Sequence, residues 1–168
     1  MMVRMSDANR LAADVKREHY AELEIELKSI LADEPNMVAR MATMACVLAT
    51  RFESVFFWTG FYLVDPERPT ELVIGPYQGT LGCMRIALGK GVCGTSAQSG
   101  ETVIVPDVHA FPGHIACDSR TESEIVVPIF DSAGRLYGVL DVDSCLPAAF
   151  DEDDRDGLEA MCRILMSV

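Results

Sequence analysis

Residues 79–128 read GTLGCMRIALGKGVCGTSAQSGETVIVPDVHAFPGHIACDSRTESEIVVP and hold three of the six cysteines and two of the three histidines. Glycine and proline divide this stretch into short segments. We predict a strand, a short glycine-led helix, a second strand and a long loop, at 84–88, 92–98, 102–105 and 108–123. A loop longer than about 12 residues in a compact domain usually has a function. The stretch therefore defines the middle of the fold and marks the first place to look for chemistry.

The flanking segments predict regular elements. The upstream elements are two helices and two strands, at 8–31, 36–52, 55–64 and 71–78. The downstream elements are a strand hairpin and a last helix capped by Asp151, with the strands at 124–130 and 135–143. Strands in the middle with helices at both ends indicate an α+β fold. We expect one domain over residues 1–168, with about six antiparallel strands, helices on one face and the long loop on the other.

Composition narrows the functional class. The formal net charge is −12, which argues against nucleic acid, because phosphate binding requires Lys and Arg. An acidic chain also disfavours an anionic membrane surface. No window approaches the roughly 18 apolar residues of a membrane span, and the N-terminus shows no apolar signal-peptide region. We expect a cytoplasmic protein whose cysteines are reactive thiols, ligands or core residues and not a structural disulfide set.

Cys117 is the strongest candidate for a reactive group. It lies in the predicted loop, three residues after His114, where a thiol can reach solvent and ionise. Its thiolate could be oxidised to a sulfenic acid, which a second thiol converts to a disulfide. Cys83 and Cys93 are both candidates for that second thiol, and their sequence separation from Cys117 does not distinguish them.

A zinc site is the alternative reading of these thiols. Its ligands would be Cys83, Cys93, His114 and Cys117. Structural zinc sites usually contain a close cysteine pair such as C-x2-C, and no such pair occurs here. We therefore expect no metal.

Three acids form a second constellation. Asp141 and Asp143 fall on one face of the last predicted strand, and Glu124 begins its partner strand. Carboxylates this close repel, so one of them should keep its proton. The group could bind a cation and donate a proton, although acids at strand ends are also often only solvated. The glycine-led start of the short helix, by contrast, presents free N–H groups to an anion such as a carboxylate.

Two aromatic residues complete the candidate set. Trp58, Gly60 and Tyr62 share one face of the first predicted strand because side chains alternate along a strand. Two rings flanking a glycine could form a pocket floor. The sequence alone equally allows an ordinary packed strand face.

Four consecutive sequence motifs resemble those of a known protein family. They read G-C-x-R-I-x-x-G-x-G-V-C-G-T, V-P-D-V-x-x-F-x-G-H-I-x-C-D, S-E-I-V-V-P and G-V-L-D-V-D-S, in that order. This order and spacing resemble the GAF-domain free methionine-(R)-sulfoxide reductases, from about Trp58 to the last helix. The resemblance implies a six-stranded antiparallel sheet with helices on one face and a ligand pocket on the other.

The resemblance also implies roles for individual residues. Cys117 corresponds to the attacking cysteine, Cys83 to the principal resolving cysteine and Cys93 to an auxiliary one. The substrate carboxylates correspond to Glu124, Asp141 and Asp143, and the aromatic wall to Trp58 and Tyr62. Asp143 is our candidate proton donor.

The implied reaction reduces free methionine-(R)-sulfoxide, uses no bound cofactor and is recycled by an external dithiol, thioredoxin. The competing hypothesis is a non-catalytic GAF module that binds a small ligand such as a cyclic nucleotide. The sequence leaves the oligomeric state open, with a homodimer among the outcomes.

Overall fold

A computed structural model describes residues 11–167. The helices are α1 (Ala13–Ile30), α2 (Met37–Arg51), α3 (Gly91–Ser99) and α4 (Glu152–Met166), with a short 3-10 turn at Val108–Ala110. The strands are β1 (Trp58–Asp65), β2 (Arg68–Gln78), β3 (Arg85–Ala87), β4 (Val103–Val105), β5 (Ser123–Phe130) and β6 (Leu136–Ser144). The predicted start of the first helix, residues 8–10, lies outside the described residues. Within the described part, no helix combines the length and apolarity needed to cross a membrane.

The sheet consists of two halves joined at one strand pair. Its order is β3-β2-β1-β6-β5-β4, and every neighbouring pair is antiparallel. β1, β2 and β3 form one half, and β4, β5 and β6 form the other. The β1–β6 pair joins them and places Trp58 opposite Asp143 and Gly60 opposite Asp141. The predicted α+β class with a six-stranded antiparallel sheet is confirmed.

The main core lies between one face of the sheet and helices α1, α2 and α4. Each helix contributes an apolar stripe at the 3.6-residue period, and each stripe faces the sheet or another helix. The fully buried members include Leu23, Leu27, Met41, Met44, Leu48, Leu158 and Met161. The methionines of α2 therefore fill the core, which is the usual use of this flexible side chain.

α3 lies on the opposite face, so three of the four helices follow the predicted one-sided arrangement. It connects β3 to β4, which are the two edge strands of the sheet. Such a connection must cross one face of the sheet, and the main core already occupies the face that carries α1, α2 and α4. On the opposite face, Val92 and Ala97 of α3 pack in a second apolar cluster with Val126 and Val139.

Arg40 of α2 ties two helix ends together. Its side chain is 1% exposed, and it donates to backbone carbonyls that follow α1 and end α4. The acceptors are the carbonyl oxygens of Leu31, Glu34, Ile164, Leu165 and Ser167. The last carbonyls of a helix have no partner inside it. One guanidinium therefore supplies hydrogen-bond donors to carbonyls at the ends of two helices.

Replacing Arg40 with methionine should lower the free energy of unfolding by about 3 kcal/mol or more, because buried carbonyls would lose a charged donor. Urea denaturation followed by circular dichroism measures the change. Arg17→Met is the matched control: Arg17 forms an exposed ion pair with Asp153, and such pairs contribute about 0–1 kcal/mol. Equal losses in the two variants would contradict the role of Arg40 as a cap.

Candidate active site

One pocket lies over the β1–β6 seam, on the face that carries α3 and the long loop. Seven of the eight predicted site residues line it: Trp58, Tyr62, Cys93, Cys117, Glu124, Asp141 and Asp143. The eighth, Cys83, reaches the pocket through a disulfide bond with Cys117. The structure thus brings the predicted residues together, while their chemical roles remain predictions.

The Cys83–Cys117 disulfide closes one side of the pocket. It joins the β2–β3 connection to the long loop, with 5.7 Å between the two Cα atoms. Cys117 is exposed and Cys83 is half-buried. Of the two upstream thiols that spacing left open, Cys83 is therefore the one bonded to Cys117 here. The same bond removes both residues from the zinc set considered from the sequence.

Cys93 remains a free thiol at the floor of the pocket. It lies in the first turn of α3 and is buried. Burial raises the pKa of the Cys93 thiol well above its usual range, and the charge of Asp141 raises it further. A thiol in this environment is a poor nucleophile at neutral pH. Cys162 of α4 is also a free thiol and is buried in the main core.

Three carboxyl groups meet on the pocket floor. Glu124 lies opposite Asp143 in the β5–β6 pair, and Asp141 lies two residues before Asp143 on the same face of β6. Glu124 and Asp141 are buried, and Asp143 is partly buried beside them. Burial raises the pKa of all three groups, and the charge of a neighbouring acid raises each further. Such a cluster holds at least one proton to donate.

No Lys or Arg among residues 11–167 forms an ion pair with these three acids. Within residues 11–167, the basic partner of these acids is His114, whose Nε2 lies 3.4 Å from Oε2 of Glu124. Burial lowers the pKa of His114, which favours the neutral imidazole. The Oδ1 atom of Asp141 is buried and accepts no hydrogen bond from the described residues. A buried carboxylate oxygen without a hydrogen bond is costly, so this arrangement favours a cationic ligand.

The aromatic wall is a stack of three rings. Trp58 lies 5.8 Å from Tyr62 and 5.2 Å from Tyr77 between ring centroids, and its Nε1 donates to the carbonyl of Thr80 at 2.9 Å. A Cβ atom added to Gly60 would approach the Trp58 ring to 2.7 Å. The glycine is therefore needed for the stack. Trp58 and Tyr62 both line the pocket, and their contact with a ligand stays a prediction.

The sequence analysis did not predict Tyr77 as part of the aromatic wall, because this residue lies on a different strand, β2, opposite Gly60. That pairing becomes visible only once the strand register is known. The sequence signal was limited to an aromatic residue near the end of a predicted strand.

Asp118 and Arg120 support the loop that carries Cys117. Asp118 accepts hydrogen bonds from Arg120 and from Oγ1 of Thr80, at 2.8 Å and 2.9 Å. Hydrogen bonds from Arg120 and Thr80 lower the pKa of Asp118. The Arg120 guanidinium also lies 4.5 Å from the Phe57 ring centroid. These contacts hold the residue after Cys117 against the connection that carries Cys83. The acid–base pair at i and i+2 was the available signal.

The first turn of α3 forms a further pocket wall. α3 begins at Gly91, one residue before the predicted start, and its N-cap residue Lys90 provides no side-chain cap. Gly91, Val92 and Cys93 all line the pocket. The first N–H groups of a helix have no partner within it and attract an anion. The pocket thus offers an anion-binding wall near the acidic floor.

The free volume of the pocket is about 40 Å³. This is room for a water molecule, which needs roughly 10–15 Å³, or for a small ion, but not for a whole amino acid. With the disulfide formed, the site is therefore closed around its acidic floor. An amino-acid ligand needs the Cys83 and Cys117 segments to separate.

Comparisons with known proteins agree with this geometry. The GAF domain family model matches residues 20–167. The "Free methionine-R-sulfoxide reductase" of Escherichia coli is 38% identical over 153 residues, which cover 91% of this chain and 90% of that protein. The "GAF domain-containing protein A" of Dictyostelium discoideum is 44% identical over 161 residues, covering 96% of this chain and 99% of the relative.

A solved structure gives the same result. Free methionine-R-sulfoxide reductase from Neisseria meningitidis, in complex with its substrate, superposes with a TM-score of 0.86 at 47% identity, covering 96% of this chain and 94% of that one. Sequence, fold and site together show that the chain belongs to the GAF-domain free methionine-R-sulfoxide reductase family, a group of oxidoreductases.

Proposed function

We propose that this protein reduces free methionine-R-sulfoxide to methionine, with Cys117 as the nucleophile and Cys83 as the resolving thiol. The observation that carries the proposal is the Cys83–Cys117 disulfide above three acids that form no ion pair with Lys or Arg in the described part of the chain. The names of the relatives supply the substrate. A module that only binds a ligand, the competing hypothesis, has no need for a disulfide at its pocket.

The pocket recognises the two charges of a free amino acid. The substrate ammonium group binds Glu124, Asp141 and Asp143. It supplies these acids with a cationic partner and forms charge-assisted hydrogen bonds with them. The substrate carboxylate lies against the free N–H groups at the start of α3. Trp58 and Tyr62 contact the apolar side chain. The sulfoxide is then directed towards Cys117 on the opposite side of the pocket.

Reduction proceeds in two thiol steps. The Cys117 thiolate attacks the sulfoxide sulfur while Asp143, protonated because burial raises its pKa, donates to the departing oxygen. The oxygen then moves from the substrate sulfur to the Cys117 sulfur, the bond between the two sulfurs breaks, and methionine departs, leaving Cys117 as a sulfenic acid. The Cys83 thiol then attacks the Cys117 sulfur, water leaves, and the disulfide forms. Cys93 is an auxiliary thiol that this sequence of steps does not require.

Turnover requires an external dithiol to reduce the disulfide. We assign this role to thioredoxin and place the reaction in the cytoplasm, where dithiol reductants are maintained. No bound cofactor or catalytic metal takes part, because both electrons come from the two cysteines.

The test is a coupled assay that contains thioredoxin, thioredoxin reductase, NADPH and free methionine sulfoxide. We expect NADPH oxidation that requires both the protein and the R diastereomer, with one methionine formed per NADPH. Turnover with dithiothreitol but not with thioredoxin would correct only the reductant. Absence of methionine under both conditions would overturn the proposed function.

A further inference from the structure

Cys93 forms a close group with two of the acids. Its Sγ atom, one carboxylate oxygen of Glu124 and one of Asp141 all lie within 4.8 Å of one another, and all three residues are buried. The proposed catalytic steps leave this thiol unused. A thiol is also a weak hydrogen-bonding partner for an ammonium group, so substrate binding alone does not account for its position among carboxylates.

The surroundings add a second observation. Asp141 Oδ1 is buried and accepts no hydrogen bond from the described residues, although its residue lines the pocket. His114 Nε2 lies 3.4 Å from Glu124 Oε2 and offers a fourth donor on the same pocket wall. The enclosed volume of about 40 Å³ is suited to an ion.

We propose that Cys93, Glu124 and Asp141 bind a zinc ion, with His114 as a fourth ligand, and that this ion competes with the substrate. Sulfur, nitrogen and carboxylate oxygen together form a zinc ligand set, whereas Ca²⁺ and Mg²⁺ require oxygen ligands. Donor atoms around tetrahedral zinc are separated by roughly 3–4 Å, so a contraction of about 1 Å would bring the Cys93, Glu124 and Asp141 donors to these distances. His114, which contacts Glu124 but lies outside this close group, would move inward as the fourth ligand. The Cys93 thiol loses one proton as its sulfur–zinc bond forms.

This site differs from the zinc set considered from the sequence. It excludes Cys83 and Cys117, which are bonded to each other, and it uses acids that the spacing argument did not include. The ion occupies the position proposed for the substrate ammonium group. It therefore acts as a competitor and not as a cofactor. Only this competition, and not metal binding itself, rests on the proposed function.

The experiment uses Co²⁺ as a spectroscopic probe of the oxidised protein, in which Cys83 and Cys117 cannot bind metal. We expect one Co²⁺ per chain with a thiolate-to-cobalt charge-transfer band, which one equivalent of Zn²⁺ abolishes. Cys93→Ser should remove the band. Cys46→Ser is the matched control, because Cys46 is an exposed thiol on α2, and it should leave the band unchanged. A band that survives Cys93→Ser would overturn the assignment.

A second variant and a competition measurement protect the test from folding artefacts. Asp141→Asn, with an unchanged circular dichroism spectrum, should weaken Zn²⁺ binding at least about tenfold, since even residues that only hydrogen-bond to metal ligands contribute 10–100-fold to affinity.

The competition is tested in the Cys117→Ser variant, which cannot turn over. In this variant, free methionine sulfoxide should raise the apparent Kd for Zn²⁺. An unchanged Kd would overturn the competition. Because no step depends on turnover, failure of the catalytic proposal would show separately in the coupled assay.

Discussion

Replacing Cys117 with serine should lower the turnover of free methionine sulfoxide by at least about a thousandfold. A serine hydroxyl remains protonated at neutral pH and cannot take up the sulfoxide oxygen, so the covalent route is lost entirely. The coupled assay measures the loss. The fold should be preserved, because Cys117 is exposed on a loop.

Cys83→Ser separates the attacking thiol from the resolving one. Cys117 would still react, so we expect about one equivalent of methionine per chain in a single rapid phase, followed by loss of thioredoxin-dependent turnover. Cys46→Ser, on the α2 surface, should have no effect on either phase. Continued fast turnover by Cys117→Ser, or a rapid phase lost only in Cys83→Ser, would reverse the two assignments.

Methionine sulfoxide that is N-acetylated and C-amidated should have a kcat/KM about 10²–10³-fold lower than the free amino acid. Acetylation removes the ammonium group and leaves the acids on the pocket floor unpaired. An unsatisfied buried group costs about 1–3 kcal/mol, and more when it is charged. Amidation removes the charge that faces the start of α3.

The two single modifications distinguish these contributions. The acetylated but unamidated compound should account for the larger loss. Three carboxyl groups face the position proposed for the ammonium group, and none of them forms a salt bridge with Lys or Arg in the described part of the chain. Comparable kcat/KM values for the free and doubly blocked substrates would refute charge recognition while leaving the cysteine chemistry intact.

Strand alternation explains why much of the acidic floor could be predicted. The period of two fixes the side of the sheet that Asp141 and Asp143 share, whichever strand pairs with β6. The contacts of Glu124 with them followed from the predicted hairpin. The buried stripes of α2 and α4 were predictable for the same reason, because helical period and apolar content determine the inward face.

The features that were missed depend on where distant segments meet. Spacing left Cys83 and Cys93 equivalent, since neither the loop path nor the position of α3 is encoded in sequence separation. The crossing of α3 to the pocket face follows from strand order, which propensity does not reveal. Arg40 gave only one hint, a charge within an otherwise apolar helix, and its acceptors lie up to 127 residues away.

The Cys83–Cys117 bond crosses the seam between the two halves of the sheet, since Cys83 belongs to the first half and Cys117 to the second. With a sequence separation of 34 residues, loop-closure entropy gives it a stabilising effect of about 3–4 kcal/mol relative to the reduced protein. By a thermodynamic cycle, the disulfide stabilises the fold and the fold stabilises the disulfide by the same free energy. Reduction of the bond is therefore less favourable in the folded chain by that amount. At 30 mV for each 1.4 kcal/mol, the reduction potential is about 65–85 mV lower in the native state than in the unfolded chain. In the proposed catalytic cycle, the fold therefore alternates between a disulfide-linked and a reduced state, and the external dithiol supplies the difference in driving force.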